Sequence, residues 1–143
     1  MRIDLAERLQ QLSGASCTTV AAVDYEEPAK ASIYAVGTAV SFSDGTRLSA
    51  QFWRLIKARK PLVSIFDHGQ KYGLPAPVDA IHMLSVELVG SVIVGCDMSA
   101  TTGDLRFRFE RDIELEVFNF TAFEIWELVF PDGSGELSNY ALA

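Results

Sequence analysis

Residues 105–117 read Leu105-Arg106-Phe107-Arg108-Phe109-Glu110-Arg111-Asp112-Ile113-Glu114-Leu115-Glu116-Val117. Apolar and charged residues alternate through Glu110, and the alternation resumes at Ile113 with Glu114 and Glu116 between apolar neighbours. A period of two is the pattern of a strand with one buried and one wet face. Two such runs across a short turn predict an antiparallel hairpin and hence a sheet that covers a core on one side only.

The same signal extends along the chain. The run 17–23 (CTTVAAV) is rich in strand formers and is closed by the polar stretch from Asp24 to Lys30, with Pro28 in it. Residues 33–42 read as strand, Ser43-Asp44-Gly45 as a turn, 47–52 as an alternating strand, 62–66 as a short apolar strand and 125–130 as a strand ending at Pro131-Asp132-Gly133. Two helices interrupt this series. Leu5, Leu9 and Leu12 recur at helical spacing, with Asp4 and Glu7 spaced as a capping box and Gly14 as a stop. Ile81, Leu84 and Leu88 mark a second helix over 78–88, stopped by Gly90. Residues 70–77 hold Gly73, Pro75 and Pro77 and read as a loop joining two halves.

Both halves run in the same order: a helix closed by glycine, a strand, a strand ending in Phe (Phe42, Phe109), a turn, an alternating strand around Leu48 or Leu115, and then Trp-charged-Leu. The only two tryptophans stand in that last motif, as Trp53-Arg54-Leu55 and Trp126-Glu127-Leu128. The spacing drifts from 67 residues at Phe42 to 73 at Trp53 and 76 at Gly14. The expectation is one α+β domain over 1–143, mostly antiparallel sheet with two covering helices, built as two helix-plus-meander halves over 1–72 and 76–138.

The chain has 143 residues and a net charge of −7. That length is sufficient to bury a core without disulfides or metals, and the negative balance argues against general nucleic-acid binding. Its apolar runs fall short of the ~18–20 residues of a membrane-spanning helix, and the charged, amphipathic start is unlike a signal peptide. With Cys17 and Cys96 alone, reduced thiols and a cytoplasmic location are expected. The charge is unevenly spread: residues 1–75 carry 9 basic and 7 acidic groups, residues 76–143 carry 3 and 12. Placed outward on the second-half strands, Glu110, Glu114, Glu116, Glu124 and Glu127, with Asp104 at the rim, predict an acidic face.

Catalytic signals are sparse. The two histidines limit acid–base chemistry; Asp67 and His68 are adjacent and read as a turn, and His82 as a helix residue packed among apolar neighbours. A metal would require Asp67, His68, Asp79 and His82 to converge, which no ligand spacing suggests. Gly133-Ser134-Gly135 is too short for a phosphate loop, and no dinucleotide fingerprint is present. No cofactor or metal is expected, and the chain reads as a non-enzyme.

The rhythm Gly103-Asp104-Leu105, Phe107, Phe109, Leu115-Glu116-Val117-Phe118, Phe123-Glu124-Ile125-Trp126-Glu127-Leu128 and Pro131-Asp132-Gly133 resembles a family of small uncharacterised bacterial proteins, some of them similar to immunity proteins of polymorphic toxin systems. The likeness covers about 80–135, with a fainter echo in 36–69, and departs from the family pattern at Arg111-Asp112, where glycine is commoner. It implies an α+β fold and a non-enzymatic role.

Three functions follow as expectations. The first is a protein-binding module whose acidic face occludes a basic toxin domain. The second is a small-molecule or enzymatic pocket near Trp53, Asp67, His68 and Trp126. The third is a self-associating subunit, such as a homodimer, in which the two unlike halves meet across copies.

Overall fold

The computed structural model describes residues 3–24, 36–123 and 125–138. The order is α1 (Ile3–Gln10), β1 (Cys17–Asp24), β2 (Val36–Phe42), β3 (Arg47–Ala50), β4 (Trp53–Lys57), β5 (Lys60–Ser64), α2 (Ala80–Leu88), β6 (Ile93–Met98), β7 (Leu105–Phe109), β8 (Ile113–Val117), β9 (Trp126–Val129) and β10 (Gly135–Leu137). The strands form two antiparallel five-stranded sheets, ordered β1-β2-β3-β9-β10 and β5-β4-β8-β7-β6, so the fold is α+β and predominantly antiparallel.

Alternation places one face of each strand inside. Leu105, Phe107 and Phe109 are buried, as are Ile113, Leu115 and Val117, while Arg106 and Arg108 are exposed. The sheets share one core, in which Phe42 of the first stacks on Phe107 of the second, with ring centroids 5.8 Å apart. Each fully buried Leu or Phe contributes roughly 1.5–3 kcal/mol. α1 lays Leu5 and Leu9 into this core against β6, Leu12 of the turn that follows joins them, and α2 packs against β1. Among the described residues no helix is long and apolar enough to cross a membrane.

The pairings repeat. Ala50↔Trp126 and Leu48↔Leu128 join β3 to β9; Val117↔Trp53 and Leu115↔Leu55 join β8 to β4. Residues 48 and 50 map onto 115 and 117 at a spacing of 67, and 53 and 55 onto 126 and 128 at 73. The pairs Val20↔Val40 and Cys96↔Phe107 correspond in the same way, and each hairpin carries a bulge at its start, between Cys17 and Thr19 and between Ile93 and Gly95. Where the sheets meet, Gly14 N–H donates to Ile93 O and Gly90 N–H to Cys17 O, an exchange symmetric at a spacing of 76.

The molecule is therefore a pseudo-twofold, but its sheets are not the two halves. Each half contributes a three-stranded meander to its own sheet and hands its last two strands to the other: β4-β5 join β8, and β9-β10 join β3. Other boundaries also differ from the sequence reading. β4 and β10 were unforeseen, β4 because its residues 54–57 open a basic run and β10 because three residues around one apolar side chain carry little periodicity, and β5 runs over 60–64 and not 62–66. α2 starts at Ala80 behind an Asp79 cap, whose carboxylate accepts from His82 N–H. Asp4 lies within α1 and does not precede it. Residues 25–35, which include the expected start of β2 at Ile33, lie outside the described residues.

Candidate partner-binding surface

The expected acidic residues do not share one face. Glu114 and Glu116 point outward from β8, but their cross-strand neighbours are arginines: Arg106 and Arg108 on β7, with Arg54 beside Glu116 on β4. Arg54 Nε and Nη2 donate to Glu116 Oε1 at 3.0 and 2.7 Å. Arg106 Nε lies 3.8 Å from Glu114, and Arg108 donates to Asp97 at 2.8 Å. Gly95 makes room for that last contact, since a Cβ there would collide with the Arg108 guanidinium. The outward face of this sheet is thus a lattice of three arginines and three acids.

The remaining acids are dispersed. Glu127 lies on β9 in the other sheet, opposite Ser49. Glu110 is exposed at the β7–β8 turn. Asp104 is half-buried and its Oδ1 accepts from the Asn119 N–H at 2.7 Å, a structural use. Glu124 lies outside the described residues. Counting charges by half-chain missed the compensation because β4 carries Arg54 across from the first half.

The alternative pocket residues are also separated. Trp53 and Trp126 are buried in different sheets, with their indole N–H groups satisfied by Thr38 Oγ1 and Gly103 O, each at 2.9 Å. Asp67 closes a 3-10 turn over Ile65–Asp67: its Oδ2 accepts from Ser64 N–H at 2.8 Å and its Oδ1 from the Tyr72 hydroxyl at 2.8 Å. The hydrogen bond that the Tyr72 hydroxyl donates to Asp67 raises the Tyr72 pKa, since losing the phenol proton would break that bond and set two anions together. His68 Nδ1 accepts the Ala80 N–H at 3.1 Å. Cys17 and Cys96 are buried; burial pushes the Cys17 thiol up to about 11 and Cys96 higher still, so both stay protonated near neutral pH.

A different surface emerges on the segments that break the pseudo-symmetry. The turn from β3 to β4 needs only Gln51 and Phe52, whereas the equivalent passage from β8 to β9 runs through residues 118–125. The extra residues carry Phe120, 58% exposed, and Phe123, 77% exposed. Phe120 packs on Phe52 and Phe118, with centroids 5.0 and 5.6 Å apart, and Phe66, 41% exposed, stacks on Phe52 at 5.8 Å. The Arg54 guanidinium lies 5.2 Å from the Phe118 ring, joining this cluster to the charge lattice.

Phe66 belongs to the connection 65–79, which is internally braced though exposed. Gly69 N–H donates to Val78 O and Val78 N–H to Gln70 O, both at 2.8 Å. Tyr72 is held at φ 47°, a left-handed conformation uncommon for a bulky residue. This brace presents Phe66, Tyr72 and Leu74 to solvent. The sequence carried one signal for the surface: the drift from 67 to 73 marks an insertion, and an insertion holding two phenylalanines has no strand periodicity to absorb them.

Comparison with protein-family models, with curated proteins and with solved structures found no match to this chain.

Proposed function

We propose that this chain is a non-enzymatic protein-binding module whose contact surface is the aromatic cluster Phe52, Phe66, Phe118 and Phe120, flanked by the braced connection 65–79. Support comes from the exposure of Phe66 and Phe120 in one continuous group of rings. Contiguous exposed aromatics are costly in water and characteristic of interfaces, where such rings act as anchors. The hydrogen-bonded connection that carries Phe66 lowers the entropy lost on binding. An immunity-type role in the cytoplasm, occluding a toxin domain, is the particular form of this reading; the net charge of −7 steers a basic partner towards the molecule.

The deciding experiment is a pulldown at low salt from lysate of the source cells, comparing wild type with the double variant Phe66→Ser/Phe120→Ser. Both positions are exposed, so the variant should fold. A basic effector domain recovered stoichiometrically by wild type and lost from the variant supports the proposal. Equal recovery by both would move the interface elsewhere, and recovery of nothing but the chain itself would favour self-association.

A further inference from the structure

The pseudo-twofold creates two equivalent grooves, one between α1 and β6 and the other between α2 and β1, and they have diverged. The first is lined by Ala6, Leu9, Cys96 and Met98 and measures about 90 Å³. Shifted by 76 residues, Ala6 becomes His82, Leu9 becomes Ser85, Cys96 becomes Val20 and Met98 becomes Ala22. All four of these line the second groove, which measures about 430 Å³. Leu9 and Met98 of the first groove are replaced by the small Ser85 and Ala22 in the second, while Ala6 and Cys96 give way to the larger His82 and Val20.

Val20, Ala21 and Ala22 all border the open groove. Successive strand residues point to opposite faces, so a groove touching three in a row runs along the edge of β1 and not over one face. On that side β1 is bridged to the chain ahead of β6 at Ser16 and Cys17. Beyond Cys17, no described strand pairs with its outer edge, which makes β1 a terminal strand of its sheet. The opposite wall carries His68, Asp79 and Ser85. Among the described residues no three His, Cys, Asp or Glu side chains converge as metal ligands.

We infer that this groove accepts an extended peptide segment of a partner protein, which adds as a further strand to the edge of β1. Main-chain amides and carbonyls along a terminal strand can pair with another extended chain, and no described strand pairs with β1 on that side at Ala21 and Ala22. Asp79 and the net charge of −7 favour a segment bearing a basic residue. The site shares none of the rings of the aromatic surface, although His68 and Asp79 belong to the connection 65–79 that flanks it.

The test uses a displayed library of random linear heptapeptides, selected on the immobilised full chain, with the selected peptides then measured by fluorescence anisotropy. The control variant Ala22→Met/Ser85→Leu rebuilds the filled groove of the first half and should fold, since both positions face open space. Expected are basic peptides that lose at least about tenfold in affinity on this variant, keep their affinity for Phe66→Ser/Phe120→Ser, and lose binding when alternate peptide nitrogens are methylated. Failure to select any peptide, affinity unchanged by Ala22→Met/Ser85→Leu, or tolerance of N-methylation at every position would each overturn the inference. So would concentration-dependent dimerisation abolished by the same variant, which would make a second copy the occupant.

Discussion

Ala58 and Arg59 join β4 to β5 at φ 51° and 65°, and Arg111 and Asp112 join β7 to β8 at 65° and 56°. Two consecutive positive φ values define the turn type that matches strand twist, and Asn-Gly is its preferred sequence. The double substitution Ala58→Asn/Arg59→Gly should therefore stabilise the fold by about 1 kcal/mol, read as a Tm rise of a few degrees in calorimetry. The glycine expected by resemblance at Arg111-Asp112 is absent, yet the left-handed geometry is kept, with Arg111 anchored on Ser91 Oγ at 2.7 Å. At this scale the turn at Arg111-Asp112 was legible as a position and not as a conformation, and the turn at Ala58-Arg59 was not legible at all.

A second residue-scale prediction concerns Asp132. Hydrogen bonds from the Ser134 hydroxyl and N–H, and then from Arg8, lower its pKa from 3.8 to about 2. A depressed folded value means the contribution is present above the unfolded pKa and lost as pH falls through the folded one. Urea unfolding of wild type should show this loss between about pH 4 and 2, and Asp132→Asn should flatten that part of the profile.

Among elements, alternation told which face of β3, β7 and β8 is wet but not which strand lies beside each. That is why the acidic residues of β8 were legible and their partner Arg54, 62 residues earlier, was not. Adjacency is set by the exchange of hairpins, a long-range choice that leaves no local periodicity. A double-mutant cycle on Arg54→Ala and Glu116→Ala should give a coupling of about 0.5–1 kcal/mol, since the pair is partly exposed. The coupling should shrink in 1 M salt. Glu114→Arg/Glu116→Arg should lower Tm, because like charges would then face one another across β7, β8 and β4.

For the whole molecule, two covering helices, antiparallel sheets and a repeated order of events could be read from the chain, because helical spacing, alternation and the two Trp-charged-Leu motifs are local. The candidate surface could not, because whether Phe66 or Phe120 is buried depends on which halves meet. The hairpin exchange makes a sharp prediction. Residues 1–75 or 76–143 expressed alone should lack cooperative unfolding, since one sheet would be missing two of its five strands and the other three. Mixed together, the fragments should recover the circular dichroism of the intact chain, with a midpoint that rises with concentration.

The same exchange turns the connection 65–79 into a tether that decides between intramolecular and intermolecular closure. While it holds the halves together at an effective concentration on the order of millimolar, refolding from dilute solution returns monomers. Crowded above that level, a half has no means of distinguishing its own hairpin from a neighbour's. Chains would then interlock in pairs whose dissociation requires unfolding, a kinetic trap arising from the symmetry of the fold itself.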